Sequence, residues 1–522
     1  MRQPWIDPAL FAIGIDARSE VPLHRQMFQQ MRTLILSGRL RPGQRLPSTR
    51  TLAKEIGVSR NTVGAAFDQL HAEGAIEARV GAGTFVARTI VSLKDVGPAA
   101  PKREDSAENL DTAKAAPPAF RGERVFAPGL PALDAFPYAL WARLLGRTWR
   151  GGREALVTGD DPGGLPELRE AIAAHVQVTR GVRCAPGQVF VAAGSQVALA
   201  LAARALLKPH DVALIEEPGY PGHRLALSAE GIRPVPVLVD EEGFDIVRGV
   251  AKAPAARLTC VTPSHHYPLG YTMTLPRRIA LLEWAARKNA WIIEDDYDSE
   301  FRYHGAPLPA LQGLDGRGRV VYLGSFSKSL FPGLRIAFLI VPSAVVSRFH
   351  RHAAEDANRP STTAQAALAA FMSEGHFATH LGRMRRLYAR RQAALLESAH
   401  ALEGLLRLTP DPAGMHLVAD FELALSARMS DRQAAERNAA AGLVTRPLSS
   451  FYANRARREG LLLGYAAVPE PAMGSAVRRL AASLNDSSDS RRDPSRPRGR
   501  RGSTYRPTRL ARLPRSSGEF GA

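Results

Sequence analysis

Two cysteines in 522 residues, Cys184 and Cys260, exclude a disulfide framework, and their spacing matches no metal-ligand pattern. Both read as small buried apolar residues in a reducing compartment, and no metal site is expected. Long apolar runs are also missing. Nothing approaches the roughly 18 consecutive apolar residues of a membrane span. Met1–Asp16 lacks the basic-then-apolar layout of a secretory leader. Aromatic residues are sparse at 7%, yet the apolar total of 45% is ordinary for a globular protein. What remains is a cytoplasmic chain long enough for two or three domains.

Positive charge is what the chain has in excess, +19 overall. Its distribution is informative. Residues 1–88 carry 12 Lys and Arg against 7 Asp and Glu, and residues 485–522 carry 10 Arg against 4 acidic residues. Such ends suit a polyanionic partner. The first end has helical periodicity followed by a hairpin pattern. Residues 89–124 are rich in Ala, Pro and Lys without an apolar period and read as a flexible linker, able to span roughly 30–35 Å. Residues 125–484 alternate strand-like runs with amphipathic helices, and 485–522 form a low-complexity basic tail expected to be disordered.

In the first segment Leu23, Met27, Met31 and Leu34 recur at helical spacing, predicting a helix over 22–37. Ser48 is placed to cap a second helix with Leu52, Ala53 and Ile56 inward, Gly57 to make the turn, and Ser59 to cap a third. Val63, Phe67 and Leu70 would be the buried face of that third helix. Arg60, Asn61 and Thr62 would then occupy its first exposed turn, where a recognition helix meets base edges and phosphates. AIEARVGAGTFVA follows as an alternating hairpin. The order LRPGQRLPSTRTLAKEIGVSRNTV…GAGTFV resembles the GntR family of regulators. The resemblance implies a winged helix-turn-helix on double-stranded operator DNA, contacted by Arg45, Ser48, Arg50, Ser59, Arg60, Asn61 and Thr62, with Gly81 at the wing tip. It also implies a place of action at the nucleoid. Gly64 stands where some of that family carry a base-contacting arginine.

In the large segment the runs VFVAA, VALIEE, LTCV, WIIED, VVYLG and IAFLIV, with helices such as 196–207 and 275–289 between several of them, predict a mostly parallel, doubly wound α/β sheet. Ligands bind such sheets beyond the carboxyl ends of the strands. Gly194, Pro218–Tyr220, Ser264–Tyr267, Asp295–Tyr297 and Ser325–Lys328 all follow expected strand ends. SFSKSLFPGLR joins a lysine amine to hydroxyls and an arginine, a pattern suited to a Schiff base with a phosphate anchor nearby. Asp295 is placed to keep a pyridine nitrogen protonated.

The ordered set GSQ, EEPGY, TPSHHYPLG, IEDDYDSEFRY, SFSKSLFPGLR and GHFATHLGRMRRLYARR resembles the fold-type I, aminotransferase-like domain of the MocR subfamily of GntR regulators. By that resemblance the cofactor is pyridoxal 5′-phosphate (PLP) and Lys328 is the imine-forming, catalytic lysine. Asp295 would pair with the pyridine nitrogen, and Tyr297 and His265 would lie near the ring oxygen. Tyr220 would stack on the ring, while Ser195, Gln196, Ser325, Ser327 and Arg335 surround the phosphate. A head-to-tail homodimer and an amino-acid or amine effector are implied as well.

Departures bear on activity. The arginine that grips a substrate carboxylate in aminotransferases is expected in GLLLGYAAVPE, where Leu461–Leu463 stand instead. Gly222 and His223 follow Tyr220, with Arg224 slightly later; Thr158-Gly159 replaces a usual tyrosine turn. The first expectation is a regulator that senses PLP or an amino compound through Lys328. In that reading the aminotransferase-like domain runs at most a half-transamination; the alternative is a working aminotransferase with a DNA-binding appendage, in which Arg359 or Arg224 takes over the carboxylate. An inert, cofactor-free dimerisation domain is the third.

Overall fold

The structure is a computed structural model. It describes residues 13–16, 19, 21–79, 83–87, 124–151, 154–159, 161–303, 308–356 and 358–485. Gly81, nearly all of the expected linker and all but Asn485 of the expected tail lie outside these residues.

The N-terminal unit begins with α1 (Leu23–Leu36), preceded by Pro22, followed by α2 (Thr49–Ile56) and α3 (Arg60–Ala72). Ser48 Oγ accepts from Thr51 N and Ser59 Oγ from Thr62 N, each at 3.1 Å, so both serines satisfy a free helical amide. Gly57 closes α2 with φ 76°, the left-handed turn that sets α3 across it. Met27, Met31, Leu34, Leu52, Val63, Phe67 and Leu70 are buried together as one core. Each such side chain is worth about 1.5–3 kcal/mol of burial. Strands β1 (Ile76–Arg79) and β2 (Gly83–Val86) pair antiparallel as the wing.

The large unit is built on eight strands. In chain order they are β3 (Val189–Ala192), β4 (Val212–Glu217), β5 (Arg233–Asp240), β6 (Gly243–Phe244), β7 (Ala256–Val261), β8 (Trp291–Asp296), β9 (Val320–Ser325) and β10 (Ala337–Ile340). Their spatial order is β3-β10-β9-β8-β7-β4-β5-β6. The links β9–β8, β8–β7, β7–β4 and β4–β5 are parallel, while β10 runs antiparallel to both neighbours. Every residue of β4 and β8 is buried, which is why these strands read as unbroken apolar runs capped by acids. All six expected strands are present.

A second, smaller sheet was not expected: β11 (Leu406–Leu408), β12 (His416–Phe421), β13 (Arg446–Pro447) and β14 (Gly460–Gly464), antiparallel in the order β11-β12-β14-β13. Leu461 and Leu463 of β14 enter the main core with Val477 and Leu480, whereas Leu462 faces the other way, toward Tyr267 and Phe451. The long helix His376–Ser398 runs past the core and packs against α3.

Candidate functional site

The carboxyl ends of β4, β7, β8 and β9 open on a cavity of about 290 Å³. Nine of the ten expected cofactor residues line it: Ser195, Gln196, Tyr220, Asp295, Tyr297, Ser325, Ser327, Lys328 and Arg335. Asp295 is the penultimate residue of β8 rather than a residue just past it. Ser325 ends β9 and accepts from Ser327 N at 3.2 Å, turning the chain so that Lys328 points into the hollow. Lys328 Nζ donates to Gly129 O at 3.0 Å. Gly129 sits at φ 72°, and a Cβ there would lie 2.4 Å from the amine, so this approach requires glycine. Burial pushes the Lys328 amine below its ordinary range, and Arg446 adds to this, while Asp298 and Asp295 oppose it.

Asp295 is backed by His223, whose Nε2 lies 2.9 Å from its Oδ2, both side chains buried. His223 figured in the sequence only as a departure. Tyr220 stands across the cavity with Gln196 Nε2 3.4 Å from its hydroxyl. Ser195, also hydrogen-bonded to Tyr220, begins a twelve-residue helix whose free amides face the same side as Ser325, Ser327 and Arg335.

His265 is the exception. It does not line the cavity but sits behind Tyr297, with Nδ1 3.0 Å from the Tyr297 hydroxyl and from Asp298 Oδ1. Its Nε2 is 3.0 Å from Asp411 Oδ2, on the loop between β11 and β12. Burial works against charge on this imidazole, but the two carboxylates outweigh it and hold its pKa well above the usual value. A charged His265 thus ties the small sheet to the tyrosine that faces the cavity. Burial, followed by the Asp298 charge, raises the Tyr297 phenol far above its ordinary range, so it stays a donor.

Tyr267, from one of the expected strand-end segments, also lines the hollow, as do Gly129, Thr262, Asp298, Met415 and His416, which were not singled out beforehand. Leu461–Leu463 offer no charge, and Arg359 donates instead to Gly159 O and Ala354 O. Arg446 takes the interesting place. On β13 it is the register partner of Leu462, and Leu462 pairs in turn with Val418 on β12, two residues from His416. Paired residues in an antiparallel sheet share a face, so Arg446, Leu462, Val418 and His416 look toward the cavity side. Arg446 is exposed and joins no ion pair among the described residues.

On the N-terminal unit Arg45, Arg50, Arg60 and Asn61 are exposed on one stretch of chain from the first loop to the start of α3. Ser48 and Ser59 spend their hydroxyls on caps, and Thr62 Oγ1 lies 2.8 Å from Ser59 Oγ. Arg79 lies over the Phe85 ring at 4.6 Å, stiffening the wing. A Cβ on Gly64 would meet nothing within 4 Å.

Residues 23–86 match the bacterial regulatory proteins of the gntR family, and residues 154–480 the aminotransferases of class I and II. The probable rhizopine catabolism regulatory protein MocR of Rhizobium meliloti is 41% identical over 475 residues, 90% of this chain and 95% of that one. This chain belongs to the MocR-type GntR regulators. The pyridoxine biosynthesis regulator PdxR of Corynebacterium glutamicum is 32% identical, over 78% of the regulator and 85% of its own length. Among solved structures, the α-aminoadipate aminotransferase LysN of Thermus thermophilus superposes with a TM-score of 0.62 at 30% identity, over 69% of the regulator and 91% of that chain. The regulator therefore joins a DNA-binding helix-turn-helix to a PLP-binding, fold-type I domain. No helix among the described residues is long and apolar enough to cross a membrane.

Proposed function

We propose that the regulator reports the presence of PLP, or of an amino compound that reacts with it, to an operator on double-stranded DNA. The observation that carries this is a single cavity holding a buried amine, Lys328, whose pKa burial lowers, with a buried carboxylate, Asp295, and with an arginine and two serine hydroxyls at its far end. That donor set fits PLP: Lys328 for the aldehyde, Asp295 for the pyridine nitrogen, Tyr220 for the ring face and Tyr297 for the phenolic oxygen. Ser195, Gln196, Ser325, Ser327 and Arg335 would take the phosphate. When bound, PLP supplies an electrophilic carbon that amines attack and a ring that withdraws electrons.

The protein's own part is to hold protons where they are needed. Burial keeps Lys328 poised to lose its proton, because the cavity wall solvates an ammonium poorly. His223 fixes the orientation of Asp295. Tyr297, backed by charged His265, keeps its hydroxyl proton available to an oxygen acceptor. Arg446, beside Leu462 on the face of the small sheet that looks toward the cavity side, suits a carboxylate on the incoming amine, so an amino acid fits better than a simple amine.

Arg45, Arg50, Arg60, Asn61 and Thr62 would contact the operator, with the capped start of α3 entering the major groove. A DNA partner supports a site of action in the cytoplasm, at the nucleoid. The likeness to MocR-type proteins supports a head-to-tail homodimer. Loss of turnover is favoured by Leu461–Leu463, although the intact Lys328, Asp295 and Tyr297 set would still permit a half-transamination.

The test is a footprint on the intergenic DNA beside the gene, with and without PLP and amino acids, for wild type and Lys328→Ala. The variant should lose the visible absorbance of bound PLP and most of the ligand response. An unchanged response would refute sensing through Lys328. Steady-state keto-acid formation by wild type would shift the reading to an enzyme.

A further inference from the structure

Helix His376–Ser398 touches three segments that frame the cofactor cavity. His380 Nε2 lies 3.0 Å from Ser329 O, the residue after Lys328. Tyr388 Oη accepts from Ala132 N at 3.1 Å, in the segment whose Gly129 holds the Lys328 amine. Arg385 Nε donates to Glu300 O at 2.6 Å, in the turn Ser299–Phe301 that follows Asp295, Tyr297 and Asp298. Phe301 of that turn packs edge-on against Tyr388, ring centres 4.8 Å apart, which fixes the turn to the helix a second time.

The same helix meets the DNA-binding unit on its other side. Arg385 Nη1 donates to Ala72 O at 3.3 Å, the last residue of α3. Gly375, which caps the helix at φ 76°, lies so close to Gln69 that a Cβ would overlap that side chain. Arg25 of α1 pairs with Glu374 at 3.7 Å, and Val178 of the large unit joins the buried core of the small one. A hollow of about 680 Å³ between the same elements, lined by Arg32, Glu73, His175 and Phe377, leaves the contact open on one side. One planar guanidinium therefore bridges two backbone carbonyls, one from the turn behind the cofactor residues and one from the end of the recognition helix.

We propose that Arg385 is the positioning residue through which occupancy of the cofactor cavity resets the tilt of α3. The turn 299–301 is continuous with Tyr297 and Asp298, so any ligand that moves those residues moves the carbonyl that Arg385 grips. At about 1.5 Å per residue, thirteen-residue α3 is a lever of roughly 20 Å. Its far end carries Arg60, Asn61 and Thr62, so a small rotation at Ala72 becomes a larger displacement at the DNA. A fork that satisfies both carbonyls is specific to arginine; lysine keeps the charge but cannot span them in one plane.

This rests on the reading that cavity occupancy alters DNA binding, and two readouts keep the two claims apart. Hydrogen exchange of the amides of residues 69–73 is followed in the full-length protein with and without PLP, and DNA affinity is measured on the footprinted fragment. In wild type PLP should change the exchange of 69–73 and shift DNA affinity about fivefold or more, the ordinary size of such coupling. Arg385→Gln and Arg385→Lys should bind PLP with unchanged visible absorbance and keep the PLP-free DNA affinity, while both PLP-induced changes collapse to less than about twofold. Full retention of the exchange change in either folded variant overturns the proposal. If Arg385→Gln does not fold, Arg385→Lys decides by the same criterion. Wild-type exchange at 69–73 that is blind to PLP also overturns it. Exchange that responds while DNA affinity does not would leave the link standing and sink the sensing reading instead.

Discussion

His223 and Asp295 face each other 2.9 Å apart in a buried pair at the foot of the cofactor cavity. Removing the imidazole would leave a buried carboxylate without its partner, a loss of about 1.5–3 kcal/mol for a charged hydrogen bond. His223→Ala should therefore weaken PLP binding about tenfold to a hundredfold, read by absorbance titration, and Asp295→Ala should weaken it further. Equal affinity in His223→Ala and wild type would mean that Asp295 is held in place by other means.

Capture of PLP by Lys328 needs the neutral amine, so its rate rises with pH through the pKa of that lysine. Burial places this pKa below the ordinary 10.5, and the rate should reach half its maximum below that pH. Arg446 contributes in the same direction and Asp298 against it. Arg446→Gln should move the midpoint up, and Asp298→Asn should move it down, in stopped-flow absorbance at a series of pH values. Movement of either in the opposite direction would break the electrostatic account.

Gly64 is half-buried in α3, and a Cβ added there would meet open space. Gly64→Ala should stabilise the N-terminal unit by about 0.5–1 kcal/mol through helix propensity alone, visible as a higher urea midpoint. Gly64→Arg should tighten binding to DNA in low salt through the added positive charge, with exposed Asp68 four residues on as its one helical ion-pair neighbour.

Arg60 begins α3 next to the Ser59 cap and is exposed. If it meets a phosphate, Arg60→Ala should lower the slope of log affinity against log salt by about 1 and weaken all sequences alike. If it reads a base edge, the salt slope should stay near that of wild type while discrimination among operators falls. Competition binding at three salt concentrations separates these outcomes.

Much of this architecture is written in local pattern. Ser48 and Ser59 announce the starts of α2 and α3, and six buried strands show as apolar runs because both of their faces are covered. β5 escaped because Pro234 and Pro236 argue against a strand. Both sit opposite Ala213 and Ile215 of β4, and β6 joins β5 only at Val239 and Asp240. The missing amides therefore fall on the open side, where no ladder bond is lost. The small sheet escaped because β13 is two residues long and β14 is apolar on both faces. His265 lay within a readable motif, but its role is decided by Asp298 and Asp411, 33 and 146 residues away in sequence. Arg446 carries no signal in the sequence because its relation to Leu462 is a pairing between two strands, β13 and β14, and not a spacing along the chain.

The pairing of Arg446 with Leu462 has a wider implication for comparing such domains. Two hydrogen-bonded strands present their side chains to the same region of space, so a positive group can be hosted by either without altering what an approaching anion meets. Position-by-position tallies would score the leucine as a deletion of that property and the arginine as an unrelated surface residue. Judging ligand preference in these proteins thus calls for reading rows across a sheet rather than columns down a sequence.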